Sequence, residues 1–164
     1  MKDGLIQQVD TPQNLYDSPC NIFVAGFIGT PQMNFIKGTL VKKGADVFFN
    51  FEDVSLKLPE EKAQAPELAE YIGKEVVVGL RPEGISDEAK SVEANPETSF
   101  DVNVDVTELM GNEIFLYLAA DEEQSLTARV SSRSTARAGD VIKVALDISR
   151  LHIFDKDTER CIVH

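Results

Sequence analysis

From Asn34 onward the apolar positions of this chain recur with a period close to two. Phe35, Leu40, Val41, Val47, Phe49, Phe51, Val54, Leu56 and Leu58 fall in short segments broken at Gly44-Ala45-Asp46 and Glu52-Asp53. That pattern predicts a meander of strands. Glu75 to Leu80 carries Val76, Val77 and Val78 in a row, apolar on both faces, and is expected to be a central strand. The cleanest alternation sets Phe100, Val102, Val104 and Val106 against Asp101, Asn103, Asp105 and Thr107. Leu109 falls out of phase with it, which predicts a bulge or bend near Glu108. Further strands are expected over 114–119, 126–130, 141–146, 151–154 and 160–163, with Gly111-Asn112 and Asp155 to Thr158 as tight turns. Pro59 to Tyr71 predicts a loop and then a helical turn over 66–71, ended by Gly73. Ser86 to Ser99 is acidic and polar, holds Pro96, and reads as an exposed loop.

The first thirty residues follow another rhythm. Leu5 to Val9 reads as a short strand after the Asp3-Gly4 turn signal. Thr11-Pro12 opens a helix, Thr capping its free amides and Pro fitting its first position. Leu15 and Tyr16 give it an apolar face, and Ser18-Pro19 stops it. A second helix, capped by Asn21, runs to Ile28 with Phe23, Val24 and Phe27 at helical spacing. Gly29-Thr30-Pro31 ends it, and the domain boundary is placed there. The fold class is therefore mainly β, a set of small barrels or a sandwich with a strand-helix-helix appendage at its start. Each half repeats several strands and one helix-like insertion, which allows two linked half-barrels.

Composition narrows the function. The 164 residues suit one medium domain plus a small appendage, and a formal charge of −12 repels phosphate backbones. A nucleic-acid role would also need a basic groove with stacking aromatics, and Trp is absent. Cys20 and Cys161 lie far apart with no metal-type spacing, as reduced thiols of a cytoplasmic protein would. No apolar run approaches the roughly 20 residues of a membrane span, and the start lacks a signal-peptide layout.

No reactive constellation emerges. The one Gly-Lys pair, Gly73-Lys74, is followed by Glu75 and lacks a Gly five positions earlier, so it is not a phosphate-cradling Walker loop. His152 and His164 are isolated imidazoles with no zinc spacing to the cysteines. His152 sits in a strand-like run and reads as a half-buried sheet residue. Asp155, Asp157 and Glu159 alternate like calcium-loop ligands, but Arg160 stands where such a loop needs Gly, so they read as hairpin solvation. Ser131, Ser132, Arg133 and Ser134, with Arg129 and Arg137, make a basic, hydroxyl-rich patch. It reads as an exposed loop, with oxyanion binding as the alternative. Arg81-Pro82-Glu83-Gly84 is a compact turn in which Arg81 can reach a carboxylate.

Several stretches together resemble one family. Gly4 to Tyr16 reads Gly-Leu-Ile-Gln-Gln-Val-Asp-Thr-Pro-Gln-Asn-Leu-Tyr, and Phe23-Val24-Ala25-Gly26-Phe27-Ile28-Gly29 is followed by Met33-Asn34-Phe35. Val78-Gly79-Leu80-Arg81-Pro82-Glu83, Glu108-Leu109-Met110-Gly111-Asn112-Glu113 and Leu151-His152-Ile153-Phe154-Asp155 follow in order. This series resembles the ATP-binding-cassette ATPases of sugar import, of the maltose and multiple-sugar class, beyond their catalytic core. The resemblance implies that residues 1–30 are the tail of a nucleotide-binding domain. Residues 31–164 would be the transport-associated OB-type (TOBE) regulatory domain, built of two linked small β-barrels.

It further implies a non-catalytic regulatory and dimerisation role. The fragment would need no cofactor, whereas the full-length parent would use ATP and magnesium. Expected partners are a second copy, the missing ATPase core, the transporter's membrane subunits and, in some members, a regulatory protein. The expected location is the cytoplasm, peripheral to the membrane in the parent. Because the sequence starts at Met1 without the core motifs, it reads as an excised domain or a product from an internal Met. Arg81, Pro82, Glu83, Gly84, Gly111, Asn112, Glu113 and Phe154 are the expected dimer or partner interface, with fold-determining turns as the competing reading. Gly84 stands where relatives often carry His, so a contact through that ring is not expected. Phe23, Val24, Phe27 and Ile28 are expected to form an apolar face left by the missing core, seeking cover on the barrel or a second chain. The alternative function is oxyanion sensing, since related OB-type transport domains bind molybdate. The tandem repeat with Ser/Lys-rich loops that would mark it is absent.

Overall fold

The computed structural model describes residues 1–119 and 125–164. In chain order these form helices α1 (Pro12–Asp17) and α2 (Ile22–Phe27), strands β1 (Asn34–Lys43), β2 (Asp46–Phe51) and β3 (Val54–Lys57), and helix α3 (Glu60–Ala63). Strands β4 (Glu75–Leu80) and β5 (Ile85–Ser86), helix α4 (Ala89–Ala94), and strands β6 (Ser99–Leu109), β7 (Glu113–Ala119) and β8 (Ser125–Ser131) follow. The chain closes with β9 (Val141–Leu146), β10 (His152–Asp155) and β11 (Cys161–Val163). Short 3-10 turns occupy Pro66–Tyr71, Pro82–Gly84, Pro96–Thr98 and Ile148–Arg150. The chain is mainly β, as its periodicity predicts, and divides into two compact units. The first unit joins Met1–Leu80 to Ser149–His164, and the second is Arg81–Ile148.

The first unit holds a six-stranded antiparallel sheet in the order β11-β10-β4-β1-β2-β3. β4 lies inside it, and Val76 to Leu80 are all buried, as the unbroken valine run predicts. Each such side chain withdrawn from water contributes about 1.5–3 kcal/mol. β2 alternates, with Val47, Phe49 and Phe51 turned inward. Two glycines permit close packing. A Cβ on Gly38 would lie 2.5 Å from the Asn50 carbonyl, and one on Gly79 would lie 2.5 Å from Met33 Sδ and 2.8 Å from the Phe154 ring. Phe154 is fully buried and meets Phe35 edge to face at 6.0 Å, in a cluster with Ala25, Met33 and Val77 that seats α2.

Both helix starts form as read. Thr11 Oγ1 accepts the Asn14 amide at 3.2 Å, and Asn21 Oδ1 accepts the Val24 amide at 2.9 Å. The expected strand over Leu5 to Val9 does not form; one bridge joins Lys2 to Leu5. A strand needs a partner edge for its amides. Here side chains tether the segment instead: Gln8 accepts the Cys20 amide and donates to the Ser18 carbonyl, and Gln7 accepts from Asn21.

The second unit holds a five-stranded antiparallel sheet in the order β5-β9-β6-β7-β8, with Val102, Val104, Leu116, Leu118 and Val144 in its core. The irregularity in β6 lies between Val104 and Val106, three residues before the expected Glu108. It reverses the alternation, so Val106 is 48% exposed although it is in phase with buried Val102 and Val104. The expected loop over Ser86 to Ser99 contains α4 and a 3-10 turn. The strong helix formers Ala89, Lys90, Glu93 and Ala94 outweigh its weak apolar pattern.

Candidate functional site

The Arg81–Gly84 turn is built into the second unit. Pro82 opens a 3-10 turn, the Gly84 amide donates to the Arg81 carbonyl at 2.8 Å, and the Asp147 amide donates to the Gly84 carbonyl at 2.8 Å. Arg81, Pro82 and Gly84 are buried and Glu83 is half-buried. The turn packs on β8. Its geometry is that of a fold-determining turn. Phe154, in the first unit's core, likewise presents no surface.

Gly111-Asn112-Glu113 forms the tip of the β6–β7 hairpin. The Met110 amide donates to the Glu113 carbonyl at 2.8 Å, and Gly111 takes a φ of 82°, which a side chain would oppose. Gly111 and Asn112 are exposed, and Glu113 pairs with Arg129 at 3.5 Å. Beside the tip, Leu109 is 70% and Met110 54% exposed. Val106 and Tyr117 face each other across the ladder and are also exposed. The Tyr117 hydroxyl donates to Glu108 Oε2 at 3.0 Å, and that carboxylate contact raises the phenol's pKa. The hairpin end is thus an apolar ridge with acidic flanks.

The hydroxyl-rich patch lies under this hairpin. Thr107, Ser132, Ser134 and Arg137 line a cavity of about 270 Å³. Ser134 donates to the Asp87 carboxylate and accepts the Ala136 amide, and Arg137 donates to the Ala136 carbonyl at 2.8 Å. The Asp87 carboxylate on Ser134 repels an oxyanion there.

In the first thirty residues the expected apolar face is divided. Val24 is buried, Phe23 and Ile28 are half-buried, and Phe27 is 71% exposed. The Phe23 and Phe27 rings stack at 5.8 Å. Leu5, Ile6 and Val9 add exposed apolar surface that helical spacing did not single out. The failed strand leaves them uncovered.

The β10–β11 hairpin holds two further arrangements. Asp155 accepts the amides of Thr158 at 2.6 Å and Asp157 at 2.9 Å, and these bonds with that from Tyr71 lower its pKa to about 2. This is the turn solvation read from the sequence. Nearby, His152, Cys161 and His164 bring their ligand atoms within 4.8 Å of one another. Burial pushes the Cys161 thiol up to about 12, and burial with the Lys62 charge lowers the His164 imidazole. Lys62 is itself buried and donates to the His164 carbonyl at 2.5 Å. Spacing along the chain missed this cluster. Pairing the two predicted end strands across the Asp155 to Thr158 turn would have set His152 near His164.

Comparison with known proteins gives the lineage. Residues 29–85 match the MalK OB fold domain and residues 78–154 match the TOBE domain. The oligosaccharides import ATP-binding protein MsmX of Bacillus subtilis is 43% identical over 97% of this chain and 42% of its own length. The multiple sugar-binding transport ATP-binding protein MsmK of Streptococcus mutans is 36% identical over 97% of this chain and 41% of its own. The chain therefore spans less than half the length of these relatives. In structure it is similar to the cytoplasmic molybdate-binding protein ModG, with a TM-score of 0.55 over 73% of this chain and 94% of that one. Identity there is 16%, so the likeness is one of fold. The chain carries a MalK OB fold domain and a TOBE domain, and nearly all of it is similar to part of ABC transporter ATP-binding proteins such as MsmX.

Proposed function

We propose that this chain is a non-catalytic regulatory and dimerisation module of a sugar-import ABC transporter ATP-binding subunit. The observation that carries this reading is the apolar β6–β7 ridge on a chain matched throughout to such subunits. Exposed apolar surface of this kind marks protein contact. The ridge around Val106, Leu109, Met110 and Gly111 to Glu113 pairs with a second copy or receives a regulatory protein. Two ATPase subunits separate and close in each cycle, and a paired distal module keeps them at high effective concentration. Residues 1–30 dock on the nucleotide-binding domain through Leu5, Ile6, Val9 and Phe27. ATP and magnesium act on that domain, and the transporter's membrane subunits hold the assembly at the cytoplasmic face of the membrane.

The test is the mass of the chain in solution by light scattering, with and without residues 1–30. Self-association that survives the deletion and weakens at least about tenfold in Met110→Glu supports the reading, since like-charge burial at a contact costs several kcal/mol. Association that vanishes with residues 1–30 and ignores Met110→Glu sinks it.

A further inference from the structure

The last hairpin of the first unit joins metal-ligating side chains that lie apart in the sequence. Ile153 pairs with Val163, and Phe154 pairs with Cys161. The first pairing, extended by one residue, sets His152 across from His164. Between the two pairs Ile162 has no partner, and this bulge turns Cys161 onto the face of Phe154 and His152. The two imidazoles meet edge to face, 5.6 Å between centroids, and Cys161 Sγ lies 3.3 Å from His164 Nδ1. We propose that His152, Cys161 and His164 bind one zinc-type divalent cation through two imidazole nitrogens and a thiolate.

The spacing fits. Zinc bonds nitrogen and sulfur at about 2.0–2.3 Å, so ligand atoms around a tetrahedral ion stand about 3.3–3.7 Å apart. The sulfur–nitrogen edge is already there, and the widest allowed separation in the cluster, 4.8 Å, needs a closure of roughly 1 Å. His164, the most exposed of the three, supplies it by rotation. Imidazole and thiolate select zinc over magnesium or calcium, which prefer oxygen. On binding, the Cys161 S–H bond breaks, the S–Zn bond forms and the proton leaves to solvent, with no change of oxidation state. Water takes the fourth position, as in zinc sites with three protein ligands. The Lys62 charge opposes the cation and the thiolate offsets it, while the Lys62 bond to the His164 carbonyl anchors the end of β11. Cys20 stays outside the set, its thiol directed at the Gln7 carbonyl at 3.4 Å.

Cobalt titration of the reduced, metal-stripped chain tests the site. One Co²⁺ per chain is expected, with thiolate-to-cobalt charge transfer and tetrahedral visible bands that Zn²⁺ abolishes. Cys161→Ser removes the charge-transfer band and His164→Ala weakens binding by more than about a hundredfold, beyond what loss of an outer-shell partner costs. Both variants should melt like the parent when metal-free, so that the change is a loss of ligands. Cys20→Ser leaves the spectrum unchanged. The proposal is overturned by a parent chain without the charge-transfer band, by Cys161→Ser and His164→Ala binding as the parent does, or by loss of the band in Cys20→Ser.

Discussion

Two turns of the second unit carry equally distinctive sequences and do different work. Arg81-Pro82-Glu83-Gly84 and Gly111-Asn112-Glu113 each combine glycine with charge. The first is buried against β8, and the second stands at an exposed hairpin end flanked by Leu109 and Met110. Charge in a turn therefore does not say which way the turn faces. The neighbours do: Arg81 follows a strand apolar on both faces, whereas Gly111 follows a strand whose last apolar residue is out of phase with its core.

The largest expected effect breaks the contrast at the buried turn. Arg81→Glu places a carboxylate where a buried guanidinium stood and should cost about 3–5 kcal/mol, read by urea denaturation. A chain of unchanged stability and altered mass would return Arg81 to the interface. Gly79→Ala, just ahead of that turn, pushes a methyl group into Met33 and Phe154 and should cost about 1–3 kcal/mol. At the exposed tip, Gly111→Ala opposes a positive φ and should cost about 1–2 kcal/mol. Leu109→Ser should leave the unfolding free energy within about 0.5 kcal/mol of the parent while weakening self-association; a large loss of stability would make the ridge part of the core.

The smallest effect concerns a third turn. The carboxyl of Asp155 titrates near 2 in the folded chain against 3.8 for the free side chain. The unfolded chain therefore binds this proton first. The stability it lends is complete above about pH 4 and lost as pH falls toward 2. Asp155→Asn should flatten that limb of an acid denaturation curve; an unaltered limb would show the turn to be indifferent to its charge.

Local chemistry made much of the fold legible. The caps at Thr11 and Asn21, the turn over Pro66–Tyr71 and the buried run from Val76 depend on neighbouring residues, and all appear as read. The features that escaped depend on distant ones. Leu5 to Val9 has strand composition without a partner edge. The β6 bulge sits at Asp105, just past Asn103 where the ladder to β9 gives way to the ladder to β7, and a single strand's alternation does not reveal either ladder. Cys161 joins His152 and His164 through a register slip at Ile162, which no spacing rule anticipates. Exposure was legible at the hairpin tip and illegible at Arg81, whose burial is decided by β8, more than forty residues further along the chain.

β10 lies between β11 and β4, so the sheet of the first unit is completed by a segment that follows the whole second unit along the chain. The second unit is continuous in sequence and can finish folding during translation while β4 waits with one edge bare. A nascent chain stalled before Ser149 would expose the β4 edge from Val76 to Gly79 to chaperones or to other nascent chains.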